Sequence, residues 1–275
     1  MSQTVHILLT RFNVATQGRE APIRNAPGWL QRRFDLFERY CLPSLEAQTT
    51  KNFSWLIYFD SKTPDQFRER IERDRQIFDF EPRFVSLFSV ADVVNDLRQL
   101  LAKDVDLLLT TRLDNDDAVS RDFIERIHRA GAEAADGTVL NFTNGLAMRS
   151  GAIYSARDQS NPFTTLVERE PTAPKTIWSA QHHQLSCKWN IVQVDAPPTW
   201  LQVIHGENVT NRVKGRMLSP QVLHQRFSIA PDIEILADHN LRVMIDNFVL
   251  YPFRTIRERV FLLLKATLKI IRGRT

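Results

Sequence analysis

"LLLTTRLDNDDAVSRDFIERI", Leu107–Ile127, decides how this 275-residue chain is read. Its apolar and β-branched opening predicts a strand buried on both faces. Its closing residues carry apolar side chains at helical spacing, with Ser120 as the expected cap and Gly131 near the helix end. Between strand and helix stand Arg112, Asp114, Asn115, Asp116 and Asp117. Carboxylates crowded where a hydrophobic run ends repel one another unless a cation or a proton offsets them. Asp114 and Asp116 are two apart, so in extended backbone they share a face, and such a pair suits a Mg2+ or Mn2+ that also binds diphosphate oxygens. Asp117 either joins them or sits near the positive end of the following helix, where Asp122 also favours the dipole. An EF-hand is excluded, because no Gly occupies the sixth loop position and no Glu the twelfth.

Upstream, the same strand-then-helix alternation repeats. Val5–Phe12, Phe53–Asp60, Arg83–Val90 and Val105–Leu113 read as strands. Gly28–Gln48, Thr63–Phe78 and Ala91–Asp104 read as the helices between them. Four such units with near-continuous apolar strands predict a parallel sheet covered on both faces, whose ligands bind at the carboxyl ends of the strands. The polar exits Thr10–Asn13, Phe59–Pro64 and Arg112–Asp117 should therefore face one crevice. With only 9 glycines there is neither a P-loop nor a dinucleotide-type loop. Downstream the pattern loosens. Gly137–Ala156 predicts one or two strands with a turn at Asn144-Gly145, Asn161–Glu170 a short helix or loop, and Lys188–Asn211 strand-like segments interrupted by Pro197-Pro198.

Composition narrows the class. A hydrophobic fraction of 43% and a charged fraction of 25% are ordinary for a globular chain. Two cysteines provide no disulfide framework, so a reducing, cytoplasmic setting is expected, and the three Asn-x-Ser/Thr sequons read as chance matches. No stretch reaches the length of about 20 apolar residues needed to span a bilayer. The net charge of +4 is concentrated in residues 254–275, which hold seven Lys or Arg and one Glu. The remainder is slightly acidic, and a nucleic-acid-binding face is not expected. Within that tail Ile256, Val260, Leu263, Leu264, Leu268 and Ile271 fall on one side of a helix and basic residues on the other. A basic amphipathic helix of this kind suits the surface of an anionic membrane, or packing on its own domain or a second subunit.

The blocks "LLTRFNV", "CLPSLEAQTTKNFSWLIYFDSKTP", "TRLDNDDAVSRDFI", "NPF" with "LVE", and "WLQVIHGENVTN" occur in order over residues 5–250. Together they resemble the bacterial rhamnosyltransferase family, a group of nucleotide-sugar glycosyltransferases of GT-A fold. The resemblance implies an α/β, GT-A-like (Rossmann-like), mostly parallel sheet flanked by helices in residues 1–253, with an amphipathic C-terminal helix in 254–275. It implies metal-dependent transfer of a sugar, rhamnose, from a nucleotide-diphosphate donor to a glycan or lipid-linked acceptor in cell-envelope polysaccharide synthesis. It further implies that Asp114 and Asp116 form the Asp-x-Asp motif for Mn2+ or Mg2+ and diphosphate. Thr10, Arg11 and Asp60 are then expected on the nucleoside, Arg112 on the diphosphate or ribose, and His205 as a further metal ligand, supported by Asn208.

A transfer with inversion also needs a carboxylate to take the acceptor's proton. Asp158, Glu168, Glu170 and Asp195 are the downstream candidates. Glu168 is the first choice because the apolar run before it anchors it, with Asp117 the second catalytic candidate. Trp178, Trp189, Trp200 and the pair His182-His183 are candidates to line a sugar site. Two rival readings remain at this level: a metal-dependent phosphoesterase, whose sites also cluster carboxylates, and a membrane-docked glycan-binding protein with a degenerate site.

Overall fold

The computed structural model describes residues 3–15, 20–101, 105–180, 182–206, 213–236 and 240–257. The side chains of His182 and His183, Asn208, and most of the predicted tail helix lie outside the described residues.

Alternation decides the main layer. In β1 (Thr4–Arg11), β2 (Ser54–Asp60) and β4 (Leu107–Arg112), successive residues point to opposite faces, and both faces are buried. Leu8, Trp55, Ile57, Phe59 and Leu109 pack on one side with Phe34, Phe37 and Ile71. Ile7, Leu9, Leu56, Tyr58 and Leu108 pack on the other with Val93 and Leu97. After the short α1 (Glu20–Arg24), those partners come from α2 (Trp29–Leu36) and the turn that follows it, from α4 (Asp65–Ile77) and from α5 (Val90–Leu100). The helix predicted over 28–48 is made of α2, a π-turn at Phe37–Cys41 and α3 (Leu42–Glu46). β3 (Glu81–Val85) ends before the expected Val90, and the Ser89 hydroxyl caps α5 by accepting from Asp92 N at 3.1 Å.

The sheet has seven strands in the order β10-β6-β9-β4-β1-β2-β3. β6 (Thr138–Phe142) and β10 (Asn190–Val194) are parallel to each other. The expected helix or loop at 161–170 is instead β9 (Thr165–Arg169), buried and antiparallel between β4 and β6. Its four buried residues form too short a run to reveal whether they belong to a strand or a loop.

A second sheet, not anticipated, has the order β12-β8-β7-β11-β5. It contains β5 (Ala118–Val119), β7 (Asn144–Arg149), β8 (Ala152–Arg157), β11 (Trp200–Val203) and β12 (Met217–Leu218). The hairpin turn falls at Ser150-Gly151 and not at Asn144-Gly145, since both of the former have positive φ (48° and 74°), as a tight primed turn demands. Gly145 serves packing instead, because a Cβ there would lie 2.1 Å from the Trp200 ring. That ring stacks on Phe163 at 5.3 Å and its N–H donates to Phe142 O at 2.8 Å, so it has no room to retreat. Gly145→Ala is expected to lower unfolding free energy by about 1–3 kcal/mol, read from a urea midpoint; an unshifted midpoint contradicts the packing.

The Ser120 cap is also corrected. The residue before α6 (Phe123–Glu133) is Asp122, which caps no backbone N–H. Instead Ser120 Oγ donates to it at 2.7 Å, and Arg126 and Arg226 hold it at 2.7 and 3.1 Å. Burial opposes the charge, but these contacts outweigh it and push the Asp122 pKa down to about 2. Because the folded value lies below the unfolded one, the contribution is full above the unfolded pKa of about 3.9 and vanishes as pH falls through 2. The carboxylate is partly exposed, so Asp122→Asn should cost only about 1 kcal/mol at neutral pH. The gap between variant and native chain should close in acid; a pH-independent gap would contradict the charge argument.

Candidate functional site

β1, flanked by β2 and β4, brings the three polar exits to one edge of the seven-stranded sheet. Asn13 ties the first two together: its side-chain N–H donates to Thr63 Oγ1 at 3.0 Å and its Oδ1 accepts from Asp60 N at 3.0 Å. Asp60 is buried, paired with Arg24, and accepts from Lys62 N at 2.8 Å. Beside it opens a cavity of about 350 Å³ lined by Asn13, Arg24, Trp29, Asp60, Lys62 and Ser86. Thr10 does not reach this space. It is fully buried, donates to Leu113 O at 2.9 Å and accepts from the Trp55 indole at 2.9 Å, so its hydroxyl braces the sheet.

At the centre of the edge, the Arg11 and Arg112 guanidiniums lie 4.4 and 4.2 Å from the Trp178 ring. The segment carrying Trp178 is held in an uncommon backbone conformation, Thr176 having φ 62°. Glu168 enforces it. Its carboxylate accepts from Lys175 N at 2.8 Å and Thr176 N at 3.4 Å, while Ile177 N donates to Thr110 Oγ1 at 3.0 Å. Glu168 pairs in register with Leu108, near the opposite end of β4 from Arg112. It is therefore not brought to the acids, and its carboxylate instead holds the segment leading to Trp178. Desolvation raises its pKa, against the lowering by its two backbone donors. Glu168→Ala should leave those buried N–H groups unpaired and cost about 1–3 kcal/mol in a denaturation experiment; an unchanged midpoint would remove the anchor role.

The carboxylates of the acid loop face different partners. Asp116 is buried and receives the Arg33 guanidinium at 2.6 Å and His205 Nε2 at 2.9 Å. Burial would raise its pKa, but the His205 hydrogen bond and the Arg33 charge hold it below the usual carboxylate range. Asn115 braces the loop, donating to Phe12 O at 3.2 Å and accepting from Arg33 at 3.3 Å. Asp117 is turned the other way, accepting from Val203 N at 2.9 Å and so tying the acid loop to β11. Desolvation first, then Asp116 and Asp114, push its pKa well up. Buried and held by the backbone, Asp117 pins the acid loop to β11. Asp114, half-exposed and 3.7 Å from Arg112 Nε, lines a second cavity of about 860 Å³. Asp158, Arg157, Lys214, Trp200 and Tyr251 line the same cavity.

The family described as "Putative rhamnosyl transferase" matches residues 5–217. The chain belongs to this family. No curated protein sequence matches it. Among solved structures, S. aureus TarS 1-349 in complex with UDP is 13% identical, with a TM-score of 0.43, covering 81% of this chain and 62% of its own. The mannosyltransferase PcManGT from Pyrobaculum calidifontis, in complex with GDP-Man and Mn2+, is 10% identical with a TM-score of 0.40, covering 73% and 57%. The 4-diphosphocytidyl-2C-methyl-D-erythritol synthase is 12% identical with a TM-score of 0.36, covering 75% and 96%. This chain therefore spans less than two thirds of the TarS chain.

Several residues that shape this rhamnosyl transferase family site escaped the sequence reading. Arg33 was the least visible, although it stands one helical turn before Phe37 on the buried side of α2, where a cation signals a partner. Asn13 and Arg24 lacked any motif. Among the described residues, no group of three or more His, Cys, Asp or Glu side chains is gathered tightly enough to hold a metal ion alone. Asp116 and His205 do converge, with His205 Nε2 at 2.9 Å and Arg33 at 2.6 Å on the same carboxylate oxygen. Asp114 is turned toward Arg112 instead of joining them.

Proposed function

We propose that this chain transfers a sugar, rhamnose, from a nucleoside-diphosphate donor to a hydroxyl of a glycan or lipid-linked acceptor. One observation carries the reading: the exits of β1, β2 and β4 meet at one sheet edge with a cavity on either side, one beside Asp60 and one beside Asp114. The smaller cavity suits the nucleoside, with Trp29 offering a ring face and Asp60 and Asn13 hydrogen-bonding groups. Arg11 and Arg112 suit the diphosphate, since planar guanidiniums match phosphate oxygens. Among the described residues, Arg112 Nε and Trp178 Nε1 are buried without a hydrogen-bond partner, which fits a polar occupant at that edge.

Asp116 and His205 are the residues that would hold Mn2+ or Mg2+. A cation bound there supplies positive charge against the leaving diphosphate. The larger cavity suits the acceptor. Of the four candidate bases, Asp158 is the one that lines this cavity alongside Asp114. Its backbone N–H donates to Thr143 O at 2.9 Å and its Oδ1 accepts from Ser160 N at 2.8 Å, fixing the residue at the wall. Asp158 takes the acceptor's hydroxyl proton as that oxygen bonds to the anomeric carbon. The bond from the anomeric carbon to the diphosphate breaks, and Arg11 and Arg112 meet the released charge. The same reading puts the chain at the inner face of a membrane, reached through the basic segment 254–275. Phosphorus NMR of the chain with dTDP-rhamnose and other nucleotide sugars tests the reaction class. Release of nucleoside diphosphate with at least one donor is expected, water taking the sugar in place of the acceptor hydroxyl, and a panel left wholly intact by the metal-loaded chain would overturn it.

A further inference from the structure

α8 (Asn240–Ile245) continues through a π-turn at Asp246–Leu250 into helical residues 251–257, and this helix sits with its polar side inward. Asp246 is buried and paired with Arg254 at 2.6 Å. Asn247 exchanges two hydrogen bonds with the Met217 backbone at 2.8 and 3.0 Å, and Arg254 also donates to Gly215 O at 3.2 Å. Tyr251, on the same side, lines the larger cavity. The apolar residues point outward: Phe248 is 75% exposed, Phe253 69%, Ile256 59% and Met244 54%, with Ile245, Val249 and Leu250 beside them. Globular chains scatter exposed apolar residues singly; seven large ones on one helix mark a contact surface.

We infer that this face docks on an anionic lipid surface. Charge decides between lipid and protein. Arg242 and Arg257 accompany the face, and the sequence of residues 254–275 holds seven Lys or Arg against one Glu. An apolar face flanked by cations binds the boundary between acyl chains and anionic headgroups, each basic residue adding attraction. Among the described residues, no helix is long and apolar enough to cross a membrane. Because Tyr251 belongs to the docking helix and to the cavity wall, docking holds the mouth of that cavity near the lipid surface, where a lipid-linked acceptor presents its hydroxyl. The inference deepens the transfer reading by giving the acceptor a place, yet it can fail separately.

The test is flotation of the full chain with phosphatidylglycerol or phosphatidylcholine vesicles, beside sedimentation of the free chain. Binding to phosphatidylglycerol, weakened by salt and by phosphatidylcholine, is expected. The double substitution Phe248→Ser, Phe253→Ser should reduce partitioning about tenfold or more. Its melting temperature and nucleoside-diphosphate affinity should stay unchanged, since both side chains are exposed and distant in sequence from the donor edge. Flotation unaffected by the double substitution would overturn the assignment. So would a native chain that ignores both vesicles and instead forms a dimer dispersed by the substitution. Flotation without any donor binding would keep the docking surface and sink the transfer reading.

Discussion

Asp116→Ala is expected to lower kcat/KM for sugar transfer by about a thousandfold or more, while the chain remains folded. Asp116 is where the acid loop meets Arg33 at 2.6 Å and His205 at 2.9 Å, contacts that hold its pKa down. Truncation removes an oxygen donor from the proposed cation site and leaves the Arg33 charge to Asn115 and the Trp29 ring. Some stability is therefore lost as well, and Asp116→Asn separates the two effects, because the amide fills the same volume and still accepts from Arg33. Loss of turnover in both variants, with circular dichroism and the melting transition retained in the amide, is the predicted pattern. Transfer within a few-fold of native in Asp116→Asn would remove Asp116 from the site.

Asp158→Asn should depress kcat by about 10²- to 10⁴-fold while leaving donor affinity close to native, the range expected when a positioned base is lost. The amide keeps the oxygen that accepts from Ser160 N at 2.8 Å, so the wall of the cavity is preserved. Donor affinity is the informative control, because the cavity beside Asp60, proposed for the nucleoside, is separate from the one Asp158 lines. Glu168→Gln provides the contrast: the side chain anchors the segment holding Trp178, so it should alter donor KM and stability more than the pH dependence of kcat. If Glu168→Gln erased turnover and its pH profile while Asp158→Asn left them native, the two assignments would exchange.

What the sequence showed and what it hid have physical causes. β1, β2 and β4 were legible because strands buried on both faces read as continuous apolar runs, and their polar exits followed. The loop of Asp114 to Asp117 was legible as a site, but not its division of labour, since a one-residue step separates Asp116, which faces His205, from Asp117, which faces the Val203 backbone. Thr10 looked like a contact from its place at a strand end, yet its hydroxyl is consumed by Trp55 and Leu113 across the sheet. β9 and the second sheet were missed because their pairing is long-range: β5 is two residues long and is defined only by its partner β11. Arg33 and Asn13 act through tertiary contacts that carry no local pattern.

The central claim is that this sheet edge binds a nucleoside diphosphate carrying a sugar, with Asp116 and His205 completing a cation site. Thermal denaturation of the full chain with a series of nucleoside diphosphates and nucleotide sugars, with and without Mn2+, tests it most directly. A ligand that binds only the native state at about 100 times its Kd adds about 2.7 kcal/mol of apparent stability. The account predicts a rise in melting temperature for one base series, larger with Mn2+ than without, and abolished in Asp116→Ala. A melting temperature unmoved by every nucleotide and nucleotide sugar, in either condition, would contradict it.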